Sequence, residues 1–399
     1  MREVLDALLE WRAEGVPVGR AVVVRTFGSA PRPEGAVLLG TADGRLAGSV
    51  SGGCVEGAAF EEIERARASG RSRVIRYGIS DEQAWDVGLA CGGTIDVLVE
   101  PGVDPAVEEA ASAERAGRGG RAVVTPLPPD SPPPAFGPHE PGDGAPPVPK
   151  LIVDEDGTLT GSLGSAEDDA ALLAAAREAL LRGVSRTVVV GGRQVFIEAF
   201  PRRPRLVVVG AVEIGRSLVK LARELGYETI VVDGRPAFAT PERFPPGSVD
   251  RLIVGWPDEV ADEIGLGPGD AVAVLSHDVK FDEPAIIEAL RRGCRYVGAV
   301  GSRKTQADRR ARLRAAGLGE AELDRLRGPI GLDLGGRNPA ETALAIMAEI
   351  VAERYGGSGR PMRELARAEP AVQEPAAAGA AAGAAAGAAA GAPSVSSGS

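Results

Sequence analysis

The chain has 399 residues, 44% of them apolar but only 4% aromatic, and a formal net charge of −11. That length predicts two domains plus extras, with cores built from Val, Leu, Ile and Ala instead of aromatic rings. The acidic balance gives no general electrostatic reason to bind nucleic acid, and no apolar run approaches the roughly 20 residues that cross a bilayer.

The opening segment MREVLDALLEWRAEG reads as an amphipathic helix with acidic residues, not as a basic-then-apolar secretion signal. Strands are expected at 20–26 and 35–41, a helix near 55–68, and further strands in RVIRYG and TIDVLVEP. The segment 126–149, PLPPDSPPPAFGPHEPGDGAPPVP, is Pro-rich and reads as extended or disordered. It falls between a strand at 121–125 and its expected neighbour at 150–153.

An internal echo makes that segment an interruption of one domain. Residues 36–50, AVLLGTADGRLAGSV, match 149–163, PKLIVDEDGTLTGSL, with Asp43-Gly44 over Asp156-Gly157. Asp-Gly turns recur by chance because they are a common hairpin signal, but the length of this match favours duplication. The two copies diverge at SVSGGCVEG (49–57) and SLGSAEDDA (162–170), where Cys54 aligns with Glu167, so only the first copy retains a thiol.

From 204 onward the chain alternates short apolar strands with helices, the pattern of a Rossmann-like parallel sheet. The final helix opens with Asn338 as cap and Pro339 at its first position. The expected fold class is therefore α/β: an internally duplicated N-terminal domain (1–203, interrupted by 126–149), a Rossmann-like domain (204–358) and an Ala/Gly/Ser tail (359–399).

Candidate chemistry falls into two groups. The first is cysteine-glycine turns. Gly52 and Gly53 allow a tight bend that sets Cys54 at a helix N-terminus, a position that raises thiolate character. Cys91, Gly92 and Gly93 repeat the flavour in ACGG. Thiolates are soft ligands and sulfur carriers, so Cys54 and Cys91 are the candidate metal contacts. Arg32, in GSAPRPEGA, is either a phosphate grip or part of a plain turn. Cys294 reads as a small buried core residue. With no CxxC spacing and an odd cysteine count, a zinc ribbon is not expected, and a reducing, cytoplasmic compartment is.

The second group lines one edge of the Rossmann sheet. GAVEIG (210–215) keeps Gly210 and Gly215 of a dinucleotide turn but places Val212 where the middle glycine admits a pyrophosphate. NAD(P) binding is therefore not expected. Asp233 ends the second strand, where a ribose acid belongs. Ser276-His277-Asp278 offers a proton carrier or a helix cap. Gly301, Ser302 and Arg303 open a helix in a way that suits a phosphate, or simply start it with solvated basic residues.

Taken together, GSAPRPEGA, LAGSVSGGCVEG, ACGGTIDVLVEP, SHD, YVGAVGSRK and PIGLDLGGRNPAETALAI resemble the XdhC/CoxI family, the maturation factors of xanthine dehydrogenase and carbon monoxide dehydrogenase. The resemblance covers roughly residues 1–358 apart from the insertion. It implies an accessory factor instead of a self-sufficient enzyme. Such a factor binds molybdenum cofactor, as molybdopterin or its cytosine dinucleotide, and shields it while a cysteine desulfurase-type partner supplies sulfur. It then delivers the cofactor to an apo molybdenum hydroxylase. The resemblance makes Cys54 and Cys91 the cofactor-contacting residues, and a homodimer is a reasonable assembly. The family's turn reads close to G-A-G-H-V-G; here Val212 and Glu213 replace a glycine and a histidine, which weakens any phosphate grip. Two rivals are an NAD-dependent oxidoreductase using Asp233 and His277, and a bridging protein without ligand binding.

Overall fold

The computed structural model describes residues 1–78, 93–133, 139 and 142–365. Cys91, Gly92 and the tail from 366 lie outside the described residues.

The chain begins with α1 (Leu5–Ala13) and then folds the same five-stranded unit twice. The first unit is β1 (Val18–Phe27), β2 (Val37–Thr41), β3 (Leu46–Gly48), α2 (Glu56–Ser69), β4 (Arg73–Tyr77) and β5 (Thr94–Glu100). A connecting helix, α3 (Pro105–Arg115), leads to β6 (Arg121–Pro126), β7 (Leu151–Asp154), β8 (Leu159–Thr160), α4 (Ala166–Arg182), β9 (Arg186–Val190) and β10 (Arg193–Phe200). Strand order is β3-β2-β1-β5-β4 in one sheet and β8-β7-β6-β10-β9 in the other. The orders are identical after a shift of five strands, so the echo in the sequence is a structural duplication.

Alternation of side chains along each strand decides the layering. Ala21 and Val23 of β1 face Ala59, Ile63 and Ala66 of α2. The intervening Val22 and Val24 join Val123, Phe196 and Phe200 of the second unit in one core. In that unit Val124 and Ile197 face Leu172 and Ala176 of α4. The two sheets thus pack back to back, each covered outside by its own helix.

Charge is buried at that interface. Arg20 of β1, 1% exposed, donates to Glu100 of β5 (Nη1 to Oε2, 3.0 Å) and to Glu198 of β10. Lys150 Nζ adds a second cation on Glu100 at 2.6 Å. These cations hold Glu100 below the ordinary carboxylate range although burial pushes the other way. Nearby, Arg25 pairs with Asp96 at 2.7 Å and reaches Gln194 of the second unit.

The described part of the Pro-rich insertion is extended, one of the two expected readings, and it packs on the first domain. Leu127 is buried, and its N–H donates to Gln194 O at 2.9 Å. Pro132 O accepts from Arg25 Nη1 at 3.1 Å and from Gln194 Nε2 at 3.2 Å. Farther on, Ala145 exchanges backbone hydrogen bonds with Ser72 at 2.7 and 2.8 Å. Proline donates no backbone N–H, but its carbonyl is a full acceptor for buried arginine, which is how an extended Pro-rich stretch packs here.

The second domain contains β11 (Arg205–Val209), α5 (Glu213–Glu224), β12 (Glu228–Asp233), β13 (Arg251–Val254), α6 (Pro257–Ile264) and β14 (Asp270–Val274). It continues with α7 (Val279–Arg291), β15 (Tyr296–Ala299), α8 (Arg303–Ala315), a short α9 (Glu320–Leu323), β16 (Leu326–Arg327) and α10 (Pro339–Tyr355). All six strands pair in parallel in the order β13-β12-β11-β14-β15-β16. Counted within the domain this is 3-2-1-4-5-6, the doubly wound dinucleotide order. Val207 and Val209 pack on α6 and α7, while Leu206 and Val208 pack on α5 and α10. Asn338 caps α10 with Pro339 in its first turn, as the sequence predicts, and Glu341 completes a capping box. Among the described residues no helix is long and apolar enough to cross a membrane.

Replacing Arg20 by Ala leaves Glu198 and part of Glu100 buried without their shared cation. A loss of about 3–5 kcal/mol in unfolding free energy is expected by urea denaturation. A loss below about 1 kcal/mol would mean that the ion cluster does not hold the two sheets together.

Candidate functional site

The thiol turn is built by its own carboxylate. Five donors converge on Glu56: Ser49 Oγ (2.6 Å), Val50 N (3.1 Å), Ser51 N (2.9 Å), Ser51 Oγ (2.6 Å) and Gly53 N (2.8 Å). Ser51 Oγ in turn accepts from Cys54 N at 3.0 Å and Val55 N at 2.9 Å. Although burial opposes ionisation, the hydroxyls of Ser49 and Ser51 and the loop amides pull the Glu56 carboxyl down to about 2.

The second copy shows what was changed. Asp169, aligned with Glu56, accepts from Ser162 Oγ and Leu163 N, both at 2.7 Å. There the helix begins at Ala166, capped by Ser165; in the first copy it begins at Glu56, three residues later in the alignment. Both helices end on an αL glycine, Gly70 and Gly183. The missing turn is taken up by Gly52 and Gly53, at φ +80° and +118°, a region unfavourable to other residues. Open space surrounds both glycines. Cys54 is thereby moved off the helix onto an unwound turn, a free, half-buried thiol resting on the α2 core. This revises the expected helix-terminal position: Glu56 occupies the loop amides that would otherwise face an anion.

Two other segments meet this end of the sheet. Ala30 packs on the same apolar cluster as Cys54. Gly93 lies backbone to backbone on Ser29 and Ala30, where a Cβ would come within 2.7 Å of Ser29 O. Arg32 is drawn aside by Glu3 at 2.5 Å. Glu34, in the same loop, was not singled out from the sequence. Burial raises its carboxyl to about 7, against the opposing Thr26 amide, Arg25 and Arg186. A single Glu in a Gly/Pro loop carries no sequence signal of burial.

On the Rossmann domain the candidate residues gather at the carboxyl edge of the sheet, but most are already engaged. Gly210, at φ +106°, lies against Ser276: a Cβ there would come within 2.9 Å of Ser276 N. Gly215 packs the helix onto Gly210 O and Val208. The Asp233 carboxylate accepts from Ala211 N at 2.8 Å and from Arg235 N, Nε and Nη2 at 2.7–2.9 Å. Glu213 pairs with Arg216 at 2.9 Å, which tempers the repulsion expected from its charge. Asp278 caps α7 through Lys280 N, and Ser302 caps α8 through Thr305 N. His277 and Arg303 stand exposed, and Gly301 takes φ +134°.

Two buried residues that the sequence did not flag tie these turns together. Ser276 Oγ donates to Asp282, whose other oxygen accepts from Arg309 at 3.3 Å. Arg309 also donates to Val300 O at 3.0 Å, just before Gly301. The available signal was the spacing of Gln306, Arg309 and Leu313 on one face of α8, hidden by the many arginines around them. Cys294 is fully buried, and burial pushes its thiol up to about 12, so it is a core residue as expected. Among the described residues no group of three or more His, Cys, Asp and Glu side chains is placed to hold a metal ion.

These features define a two-domain α/β protein, with a duplicated first domain that carries one unwound thiol turn and a second domain of doubly wound order. Residues 206–350 match the XdhC Rossmann domain, and residues 11–78 match the XdhC and CoxI family. A protein of Bacillus subtilis named as a probable xanthine dehydrogenase subunit is 30% identical, covering 88% of this chain and 96% of that protein. The chain belongs to the XdhC and CoxI family. The molybdenum cofactor insertion chaperone PaoD of Escherichia coli is 26% identical over 87% of this chain and 88% of its own length. A crystal structure titled as a xanthine dehydrogenase from Bacillus halodurans shares the fold, with a TM-score of 0.58 and 23% identity over 90% of this chain and 97% of that one.

Glu56→Gln removes the charge that five donors converge on and reverses one end of the acceptor. At neutral pH a loss of roughly 1 kcal/mol is expected, after allowing for partial exposure. The Glu56 pKa lies below its ordinary 4.5 in the fold. Its contribution is therefore complete above that value and is lost as pH falls toward 2. The gap between wild type and variant in urea midpoint should shrink from pH 7 to pH 3, and an unchanged gap would contradict the assignment.

Proposed function

We propose that this protein is a maturation factor that holds molybdenum cofactor as cargo for an apo molybdenum hydroxylase. The observation that carries the reading is the unwound turn of the first copy: where the duplicate continues its helix, this copy sets a half-buried thiol directly after two positive-φ glycines with open space around them. A soft thiolate beside backbone that a ligand can approach closely suits a molybdenum centre or a sulfur in transit. The Escherichia coli relative named as a molybdenum cofactor insertion chaperone, similar over most of both chains, supports the same reading.

In this proposal Cys54 contacts the molybdenum end of the cargo, and Cys91, with Gly92 and Gly93, completes the contact. The carboxyl edge of the Rossmann sheet receives the phosphate-bearing end, with Gly301, Ser302 and Arg303 as its grip and His277 beside it. The protein orients and shields, while the chemistry belongs to the cargo and to the partners. The partners are the apo hydroxylase and a cysteine desulfurase-type sulfur donor, in a reducing cytoplasm, with a homodimer as the working assembly. Use of NAD(P) is disfavoured on two counts. Val212 stands at the pyrophosphate position, and Asp233, the residue placed for a ribose, already accepts four hydrogen bonds from Ala211 and Arg235.

The test is equilibrium binding of anaerobically prepared molybdenum cofactor to wild type and Cys54→Ala. Near-stoichiometric binding by wild type, weakened at least about tenfold in the folded variant, is the expected result. Failure of the folded wild type to bind would sink the carrier reading and favour a protein that only bridges donor and acceptor.

A further inference from the structure

One cavity among the described residues lies away from both candidate sites. It encloses about 340 Å³ between α4 and the opposite, amino edge of the Rossmann sheet. Tyr227 precedes β12, Gly269 precedes β14 and Arg295 precedes β15, whereas Asp233 ends β12 and Gly210, His277 and Gly301 follow their strands. The five residues of β14 set the two edges roughly 15 Å apart.

The walls combine apolar surface with positive charge. Leu180, Leu181, Pro204, Pro268 and Ile350 supply the first; Arg177, Arg202, Arg295 and Arg354 supply the second. Arg202 is neutralised by Glu155 at 2.9 Å and Asp270 at 3.3 Å. For the other three guanidiniums, the hydrogen-bond acceptors among the described residues are backbone carbonyls. Arg177 uses Asp156 O at 3.1 Å, Arg295 uses Arg354 O at 3.1 Å, and Arg354 uses Arg182 O at 3.4 Å. The last two cap the ends of α10 and α4, which accounts for one donor of each five-donor fork. Burial first, and then the charges of Arg354 and Arg182, hold the Arg295 guanidinium below its ordinary value, against the smaller opposing charge of Glu353. Tyr227, 4% exposed, lines the same cavity; its hydroxyl has no hydrogen-bond partner, and its ring lies 5.6 Å from the Arg354 guanidinium carbon. In a chain of net charge −11, these guanidiniums gather around an orphaned phenol in an apolar hollow, Arg295 and Arg354 half-buried and Arg177 at its exposed rim.

We propose that this junction binds a small organic anion, one phosphate or carboxylate on an apolar ring, and that the anion clamps the two domains together. The charge meets the Arg295 and Arg354 forks, which suit planar oxyanions. The ring lies among Leu180, Ile350 and Tyr227, and the Tyr227 hydroxyl donates to the ligand. Because Arg177 belongs to the first domain and Arg295 and Arg354 to the second, occupancy ties domain geometry to ligand level, independently of Cys54.

Calorimetric titration of the full chain with adenosine 5′-monophosphate, benzoate and inorganic phosphate tests this. One of the two organic probes is expected to bind with one-to-one stoichiometry and to raise the melting temperature. Inorganic phosphate, lacking the ring, should bind at least about tenfold more weakly. Arg354→Gln and Arg295→Gln should each weaken the organic probe by about tenfold or more, and Tyr227→Phe by a few-fold. Arg235→Gln, at the opposite edge, should leave it unchanged. The proposal is overturned if neither organic probe binds at millimolar concentration, if phosphate binds as tightly as the better organic probe, or if Arg235→Gln alone abolishes binding. Should the arginine variants fail to fold, Tyr227→Phe decides: unchanged affinity there overturns the site.

Discussion

A buried guanidinium, Arg20, bridges the two halves of the first domain within their shared apolar core. Arg20 lies on the central strand of one repeat and binds a glutamate from each, Glu100 on its own sheet and Glu198 on the other. Because the pair of sheets packs through their inner faces, the charges sit where water does not reach, and each depends on the others being present. Everything positioned by that domain hangs from this arrangement: the order of the sheets, the helices outside them, and the thiol turn that leads into α2.

Duplication explains why the turn is informative. Two copies of one backbone usually keep the same helix start, and here they do not. The second copy caps its helix with Ser165 and continues; the first replaces that turn with positive-φ glycines and holds the loop with Glu56. A positive-φ glycine costs stability that a helical turn would supply, so the first copy keeps a less favourable backbone where it presents Cys54. The second copy has an ordinary helix and no thiol.

The Rossmann domain has two edges with different electrostatics. At the carboxyl edge, where ligands of this fold usually bind, charges are mostly neutralised internally: Asp233 by Arg235, Asp282 by Arg309, Glu213 by Arg216. At the amino edge, facing the first domain, arginines meet helix ends and an apolar hollow. Strand order alone does not distinguish the edges, because the difference is made by residues brought from α4 and α10.

The sequence by itself determined the fold class, the repeat and most element positions, because these rest on local signals. Short apolar runs mark β6 and β10, valine runs mark β11 and β12, and Asn338-Pro339 starts α10. Cys54 between glycines was legible for the same reason, as was the handicap of Val212. What only the tertiary structure decided depends on partners far apart in the chain. Arg25 and Gln194 turn a Pro-rich stretch into a packed strap; Glu34 becomes a half-buried carboxyl; Asp282 and Arg309 lock two turns from two helices. A buried charge is recognisable only by the counter-charge beside it, and nothing in a linear chain records which residues 80 or 178 positions away will supply it, as Glu100 and Glu198 do for Arg20.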